Sequence, residues 1–482
     1  MRTLEEQSWP QHQEIAMLIA FRTRNYLSLR DDVELSMVVP NWVDMRGCAT
    51  FPGPAPDLRV GSVAAIYGAN ASGKTTVIRA LWQMSVMVTN SHQRWKSRAE
   101  VPHFPFFSNK YKEEPTFYEA DVLLDGAHYQ YGMTFNSERI LQEWLYTFPK
   151  SRPRLVFERD ATRENEYRFG RHTRGRLSVI AELTRPNSLF LSAAAANNHP
   201  DFIKLAEWFD DGIQRAMPQD RGERLASTYE RLEDESTRKQ LIDLVRFADL
   251  GIQDISVTEE PLDEQFRDQF IKIMAVVDSD FQPDETVLRR ARQSLELSHE
   301  TEAGEVAVLN VKHESDGTRT WLALLGHIVT SLDAGSVLLV DELDASLHPK
   351  LSSEIVRIFH DPQINTKGAQ LVFNTHDPSL MGSLLGESPL RRDEVWLTEK
   401  DRFGVTHLYP LTDFRPRKSE NIERGYLQGR YGGVPFIDRD FARAALGQGE
   451  VSSVDTETAE FSERPTETPR NAGSSAEVLD SV

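Results

Sequence analysis

The 482-residue chain contains one cysteine, Cys48. That excludes an intrachain disulfide and a cysteine-built zinc cluster. No apolar run approaches the roughly 18 residues that a membrane span needs. The longest, at 62–67 and 337–340, have the length of buried strands. The N-terminus opens with Arg2, Glu5 and Glu6 and lacks a compact apolar region, so no signal peptide is expected. The expectation is a cytoplasmic protein with no membrane association. No heptad repeat persists from 201 to about 299, which argues against a long coiled-coil arm. Positive charge is also short, with a net charge of -19, and this argues against a general nucleic-acid coat.

What is present is an ordinary globular composition, 39% apolar and 27% charged. At roughly 100–200 residues per domain, the length allows two to four domains. The charge is uneven. Residues 447–482 carry eight acidic and two basic residues, a net of -6. Ser, Thr, Glu and Pro dominate there, a composition that cannot bury a core, and disorder is expected. Residues 150–176 hold nine basic residues, Lys150, Arg152, Arg154, Arg159, Arg163, Arg168, Arg171, Arg174 and Arg176, against four acidic ones. Both a face for DNA or RNA phosphates and a solvated face of a β-lobe fit that cluster.

Strand signals at 17–21, 33–39 and 62–67 precede a glycine loop and a helix over 76–88. Alternation across 117–135 around Asp125-Gly126 predicts a hairpin, with more strands to residue 169. From 201 to about 299 apolar residues fall at helical spacing, as in Phe202, Leu205, Ala206 and Phe209. A strand at 306–312, a helix at 321–332 and an apolar strand at 337–340 follow.

Gly68-Ala69-Asn70-Ala71-Ser72-Gly73-Lys74-Thr75 has the spacing G-x-x-x-x-G-K-[ST] between a strand and a helix, the setting of a P-loop. Backbone N–H groups of such a loop wrap phosphates, and the helix N-terminus adds a favourable dipole. Gly68, Asn70, Ser72, Gly73 and Thr76 belong to this cradle. Lys74 is placed to reach the β- and γ-phosphates of ATP, and Thr75 to ligate Mg²⁺. The apolar strand 337–340 ends in Asp341-Glu342. Asp341 suits Mg²⁺, because a hard cation takes oxygen ligands. Glu342, one residue on, is placed to polarise the attacking water.

The neighbouring segments resemble the remaining motifs of ABC-type ATPases. Glu314-Ser315-Asp316-Gly317-Thr318 resembles a divergent signature, without the Leu-Ser-Gly-Gly-Gln wording of transporters. Leu343-Asp344-Ala345-Ser346-Leu347-His348-Pro349 resembles a D-loop, and Thr375-His376-Asp377 a switch histidine. All five motifs stand in the ABC order. The run 341–349 is similar to RecF, SMC and OLD-class ATPases. Segments 115–121, 187–193 and 425–432 resemble prokaryotic AAA-family ATP-binding proteins associated with phage defence and abortive infection.

This resemblance, over about residues 17–437, implies an α/β fold. That fold is a P-loop NTPase head of ABC type, with a mixed-sheet core, an antiparallel β-lobe and a helical insertion. The expected divisions are 1–185 and 306–446 for the two halves of the head, 186–305 for the insertion and 447–482 for the acidic tail. It also implies a homodimer closed as an ATP sandwich, or a higher oligomer built from it. In it Ser315, Gly317 and Thr318 grip the nucleotide of the other copy and Asp344 crosses between copies. His376 serves the reaction beside Glu342. An effector protein encoded nearby is the implied partner. Gln93, Gln130 and Gln142 all remain open as the Q-loop glutamine. A transporter subunit is disfavoured by the long span from Gly68 to Ser315, and a nuclease built on Asp278 and Asp280 by their acidic, solvated setting.

Overall fold

The computed structural model describes residues 15–435 except 52–56, 150–151, 218–220, 260–270, 272–287, 290–291, 385 and 418. Lys150, Asp278, Asp280 and the acidic tail lie outside the described residues.

The chain enters through β1 (Ala16–Arg24) and β2 (Val33–Ser36), then β3 (Cys48–Phe51), β4 (Leu58–Gly61), β5 (Val63–Gly68) and α1 (Lys74–Asn90). Five strands follow: β6 (Thr116–Leu124), β7 (Ala127–Phe135), β8 (Ile140–Thr147), β9 (Arg154–Asp160) and β10 (Tyr167–Phe169). Next come α2 (Leu177–Leu183), α3 (Phe190–Ala196), α4 (Pro200–Asp211), β11 (Ile213–Ala216), α5 (Arg221–Glu233) and α6 (Glu235–Phe247). β12 (Ile252–Glu259), β13 (Gln293–Glu300) and β14 (Val306–Asn310) lead to α7 (Asp316–Ala334) and β15 (Val337–Val340). The chain closes with α8 (Pro349–His360), β16 (Gln370–Asn374), β17 (Val395–Lys400), β18 (Thr406–Pro410) and α9 (Ile422–Leu427).

The core sheet has the order β11-β15-β16-β5-β17-β18. All its pairs are parallel except β17–β18. Both faces are covered, so the inner strands β5 and β15 are apolar throughout, as parallel strands buried on two sides are. Side chains alternate between the two cores: Ala64 and Ile66 pack on one face, Val63, Ala65 and Tyr67 on the other. The first core joins α1, α3 and α4 to a seven-stranded antiparallel sheet, β10-β9-β8-β7-β6-β1-β2. The second joins α5 to α9 and the antiparallel sheet β12-β13-β14.

Local chemistry explains the junctions. Asp125 and Gly126 both have positive φ, 50° and 75°, as a two-residue hairpin turn twisted to match its strands requires. The α7 helix ends on Gly335 at φ 70°, whose N–H caps the Ser331 carbonyl. The buried Gln370 amide accepts from Leu18 N–H (2.6 Å) and donates to the carbonyls of Leu18 and Gly61 (2.9 Å each). It satisfies the break in β1 register between Leu18 and Ala20, tying the lobe to the core sheet.

The hairpin and the strand–loop–helix order agree with the sequence reading. The span 201–299, expected to be helical, differs. It holds α4, α5 and α6 but also β11, β12 and β13. β11 pairs with β15 as the edge of the core sheet, because Ile213 and Ala216 face inward while Gln214 and Arg215 do not.

Candidate active site

The site forms where β5, β15 and β16 end side by side. The P-loop leaves β5 with Ala71 at φ 63° and Gly73 at φ 108°, and α1 begins at Lys74 rather than at Thr76. Gly73 is required twice over. Its φ is left-handed, and a Cβ there would sit 2.2 Å from Thr406 Oγ1. Thr406 Oγ1 also donates to the Ser72 carbonyl (2.7 Å) and to Ser28 Oγ (2.9 Å). Ser28 in turn donates to Thr76 Oγ1 (3.4 Å). Ser72 and Thr398 share a hydrogen bond between their hydroxyls (2.6 Å). The Ser72 side chain is therefore turned toward β17, and Thr76 toward the 24–28 loop.

Lys74 Nζ donates to the carbonyls of Gly68 (2.9 Å) and Ala69 (3.0 Å) and is 7% exposed. Burial pulls its ammonium down to about 8, against the opposing pull of Asp341, Asp344 and Glu342. Thr75 Oγ1 donates to Asp341 Oδ1 (2.7 Å) at the end of β15. A hydroxyl and a carboxylate at this spacing are the oxygen donors that a small hard cation takes.

Asn374 was not singled out from the sequence, yet it organises this corner. Its amide donates to Asp341 Oδ1 and to Thr75 Oγ1 (3.5 Å), and its Oδ1 accepts from Glu342 N–H (2.7 Å). Its backbone carbonyl accepts from Leu343 N–H (3.0 Å). These bonds hold Glu342 at φ 55°, a strained setting for a residue with a Cβ, and its side chain is exposed. Asp344 accepts from the His376 N–H at 3.2 and 3.3 Å through its two oxygens. Partial burial and then the Lys74 charge push the His376 imidazole below its ordinary value, while Asp344 and Glu342 pull the other way. At pH 7 this ring is biased toward the neutral form.

Ser315, Gly317 and Thr318 stand apart from that corner. Ser315 caps α7, its Oγ accepting from Thr318 N–H (3.1 Å). A Cβ on Gly317 would lie 2.7 Å from the Ser346 carbonyl of the same chain, so the glycine is already required by contact with the D-loop. Among the described residues, their hydrogen bonds do not reach the P-loop. Of the three glutamines left open, Gln130 and Gln142 lie in β7 and β8, and Gln93 in the turn after α1. No helix among the described residues is long and apolar enough to cross a membrane.

The chain is similar to known proteins. A family described as "AAA domain, putative AbiEii toxin, Type IV TA system" matches residues 63–382, more than half of the chain. The Septu protein PtuA of Bacillus mycoides (strain KBAB4) is 32% identical over 136 residues, covering 23% of this chain and 18% of that protein. The chain thus matches less than a fifth of that relative's length. Among solved structures, an Smc head bound to the C-terminal winged-helix domain of ScpA is 12% identical, with 81% of this chain and 96% of that one covered, at a TM-score of 0.40. The SMC head domain of Thermotoga maritima is 12% identical, with 82% and 98% covered, at 0.31. The matched span holds both the P-loop and the Asp341-Glu342 strand end, and the chain belongs to this family of AAA-domain ATPases.

Proposed function

We propose that the chain is the nucleotide-driven sensor or scaffold subunit of a bacterial anti-phage defence system, working with an effector protein encoded nearby. The bonded corner of Thr75, Asp341, Asn374 and Glu342 carries the reading. ATP binds along the P-loop with Lys74 on the β- and γ-phosphates. Thr75 and Asp341 hold Mg²⁺, which supplies charge neutralisation at the phosphates when bound. Glu342 takes the proton of the attacking water, and His376 stands beside it on the loop that Asp344 holds. A P-loop surrounds phosphates from one side only. Phosphoryl transfer needs a preorganised, water-excluding second side. Ser315, Gly317 and Thr318 of a second copy provide it, so the working unit is a two-fold dimer or a larger assembly of such dimers.

The test is Glu342→Gln protein with saturating ATP and Mg²⁺. ATP binding persists, turnover falls by about 10²–10⁴-fold, and light scattering reports an ATP-bound dimer. Wild-type turnover by this protein removes Glu342 from the reaction, and a monomer at saturating ATP removes the sandwich.

A RecF-like DNA-repair or DNA-end-binding role is the second reading. Arg171, Arg174 and Arg176 favour it: all three are exposed on the 170–176 loop, Arg174 donates only its backbone N–H to Asp201 (3.3 Å), and none of the three guanidinium groups pairs with a carboxylate among the described residues. Changing them to Glu should abolish salt-sensitive DNA or RNA binding while leaving ATP binding intact. Unaltered binding leaves them as a solvated face.

A further inference from the structure

Segment 425–434 lies beyond the span of the family match, yet it ends against the first glycine of the P-loop. Tyr426, on α9, donates its hydroxyl to the Gly433 carbonyl (3.1 Å). Burial pushes this phenol up to about 12, and the Gly68 N–H facing the same oxygen acts in the opposite sense. The Tyr426 ring meets the Tyr67 ring edge-on, with centroids 5.6 Å apart. Tyr67, fully buried one residue before the P-loop, donates to the Asp377 carbonyl (3.0 Å), directly after His376. One pair of tyrosines therefore touches both the P-loop and the switch-histidine loop.

The segment is held in a single shape. Gly429, Gly432 and Gly433 have φ of 74°, 72° and 69°. A Cβ on Gly432 would fall 2.1 Å from Glu399 Oε1 and 2.5 Å from the Tyr409 hydroxyl. Gly433 N–H donates to Glu399 Oε1 (2.9 Å), and the Tyr431 hydroxyl to Glu420 Oε1 (2.7 Å). Such a surface can hold a neighbour in one orientation.

We propose that Tyr426 and Tyr67 are positioning residues for ATP turnover. Tyr426 orients the Gly68 peptide, and Tyr67 fixes the backbone that carries His376. Neither touches the nucleotide. The N–H that faces Tyr426 belongs to the Tyr67–Gly68 peptide, and the Gly68 carbonyl, across the Gly68 Cα, accepts from Lys74 Nζ (2.9 Å), so the Gly68 backbone angles set where Lys74 rests before it meets phosphate. Tyr426 thus acts on nucleotide binding through Lys74. Tyr67 acts on the chemical step through the loop of His376. The proposal rests on the nucleotide-site reading above.

Removing each hydroxyl while keeping its ring separates positioning from packing. In full-length Tyr426→Phe protein, KM for ATP and the Kd of a fluorescent ATP analogue should rise about 3–10-fold with kcat nearly unchanged, the scale of one lost hydrogen bond. In Tyr67→Phe protein, kcat should fall by a similar factor with KM nearly unchanged. Both should melt close to wild type. Gly433→Ala strains a positive φ but meets only ordinary contacts, the nearest at 3.4 Å. It moves the same carbonyl and should reproduce the KM effect if Tyr426→Phe does not fold. Unchanged KM in Tyr426→Phe or Gly433→Ala, or unchanged kcat in Tyr67→Phe, overturns the proposal. So does a joint loss of both constants that merely follows a fall in melting temperature. Wild-type protein that neither binds nor hydrolyses ATP instead fails the nucleotide reading, before any variant is made.

Discussion

The P-loop corner and the signature turn are both helix N-termini, but they are held in opposite ways. The P-loop is bonded from behind by Thr398, Thr406 and Ser28, and its Thr75 is fixed by Asp341 and Asn374. The signature turn is capped by Ser315 on the Thr318 N–H, its Glu314 bonds to His299 (2.8 Å), and its Gly317 lies close to the Ser346 carbonyl. The first is a finished half of a phosphate site. The second is capped and, among the described residues, makes no hydrogen bond to the P-loop. On the proposal of a site shared between two copies, one half grips and the other is presented.

The contrast breaks most completely at Lys74. Lys74→Ala removes the P-loop's cation and should abolish ATP binding, measured by equilibrium dialysis; retained binding places the nucleotide elsewhere. Next in size is the presented half. Ser315→Asp keeps an N-cap side chain, so α7 should stay stable, while a carboxylate faces the phosphates of the other copy. It should be inactive alone, as Lys74→Ala is. If one site can work without the other, a mixture of the two should recover up to roughly a quarter of wild-type ATPase activity, since about half of random pairs contain one intact site of two; coupling between the sites lowers that figure. Full turnover by Ser315→Asp alone would leave the turn as a strand-to-helix connection.

Asn374→Ala sharpens the gripping half. It frees Asp341 and Glu342 from their shared amide, and kcat should fall about 10–100-fold, as for partners that orient a metal ligand. An unchanged kcat would reduce Asn374 to a strand-end polar group. The smallest effect is with pH. Burial lowers the Lys74 pKa from 10.5 to about 8, so the unfolded chain holds the proton more tightly. That group's penalty on stability is therefore fully present below pH 8 and is relieved as pH rises from about 8 toward 10.5. ATP affinity should run the other way, weakening above about pH 8 as the ammonium is lost, and Lys74→Arg should flatten that limb. A flat wild-type profile across pH 7–9.5 counts against a buried, titrating Lys74.

The gripping half was legible from sequence where local spacing carries the signal. A strand buried on both faces, a fixed glycine pattern and a Lys-Thr helix start leave few other structures. Asn374 was not legible, because an asparagine at a strand end has many uses. Only the placement of β16 between β15 and β5 brings it to Asp341 and Thr75. Thr398 and Thr406 lie more than 320 residues from the P-loop and carry no local pattern. In β13, Leu295 and Leu297 alternate inward over eight residues, a period-two signal too short to stand out from the helical spacing around it. The segment 187–193, one of those carrying the family resemblance, is spent on structure. Asn187 donates to the carbonyls of Lys96 and Ala99, and the amides of Phe190 and Leu191 donate to the buried Glu143 carboxylate.

The contact between Gly317 and Ser346 has a consequence for timing. Within one chain, the D-loop meets the switch loop at Asp344 and the signature turn at Ser346. In the two-fold pair proposed above, that switch loop would belong to one pocket and that signature turn would serve the other. In that pair, a shift of 344–346 on hydrolysis in the first pocket would reach the second through the Ser346 carbonyl. On that proposal the two pockets would share a coupling free energy, and turnover should follow ATP concentration along a sigmoid rather than a hyperbola.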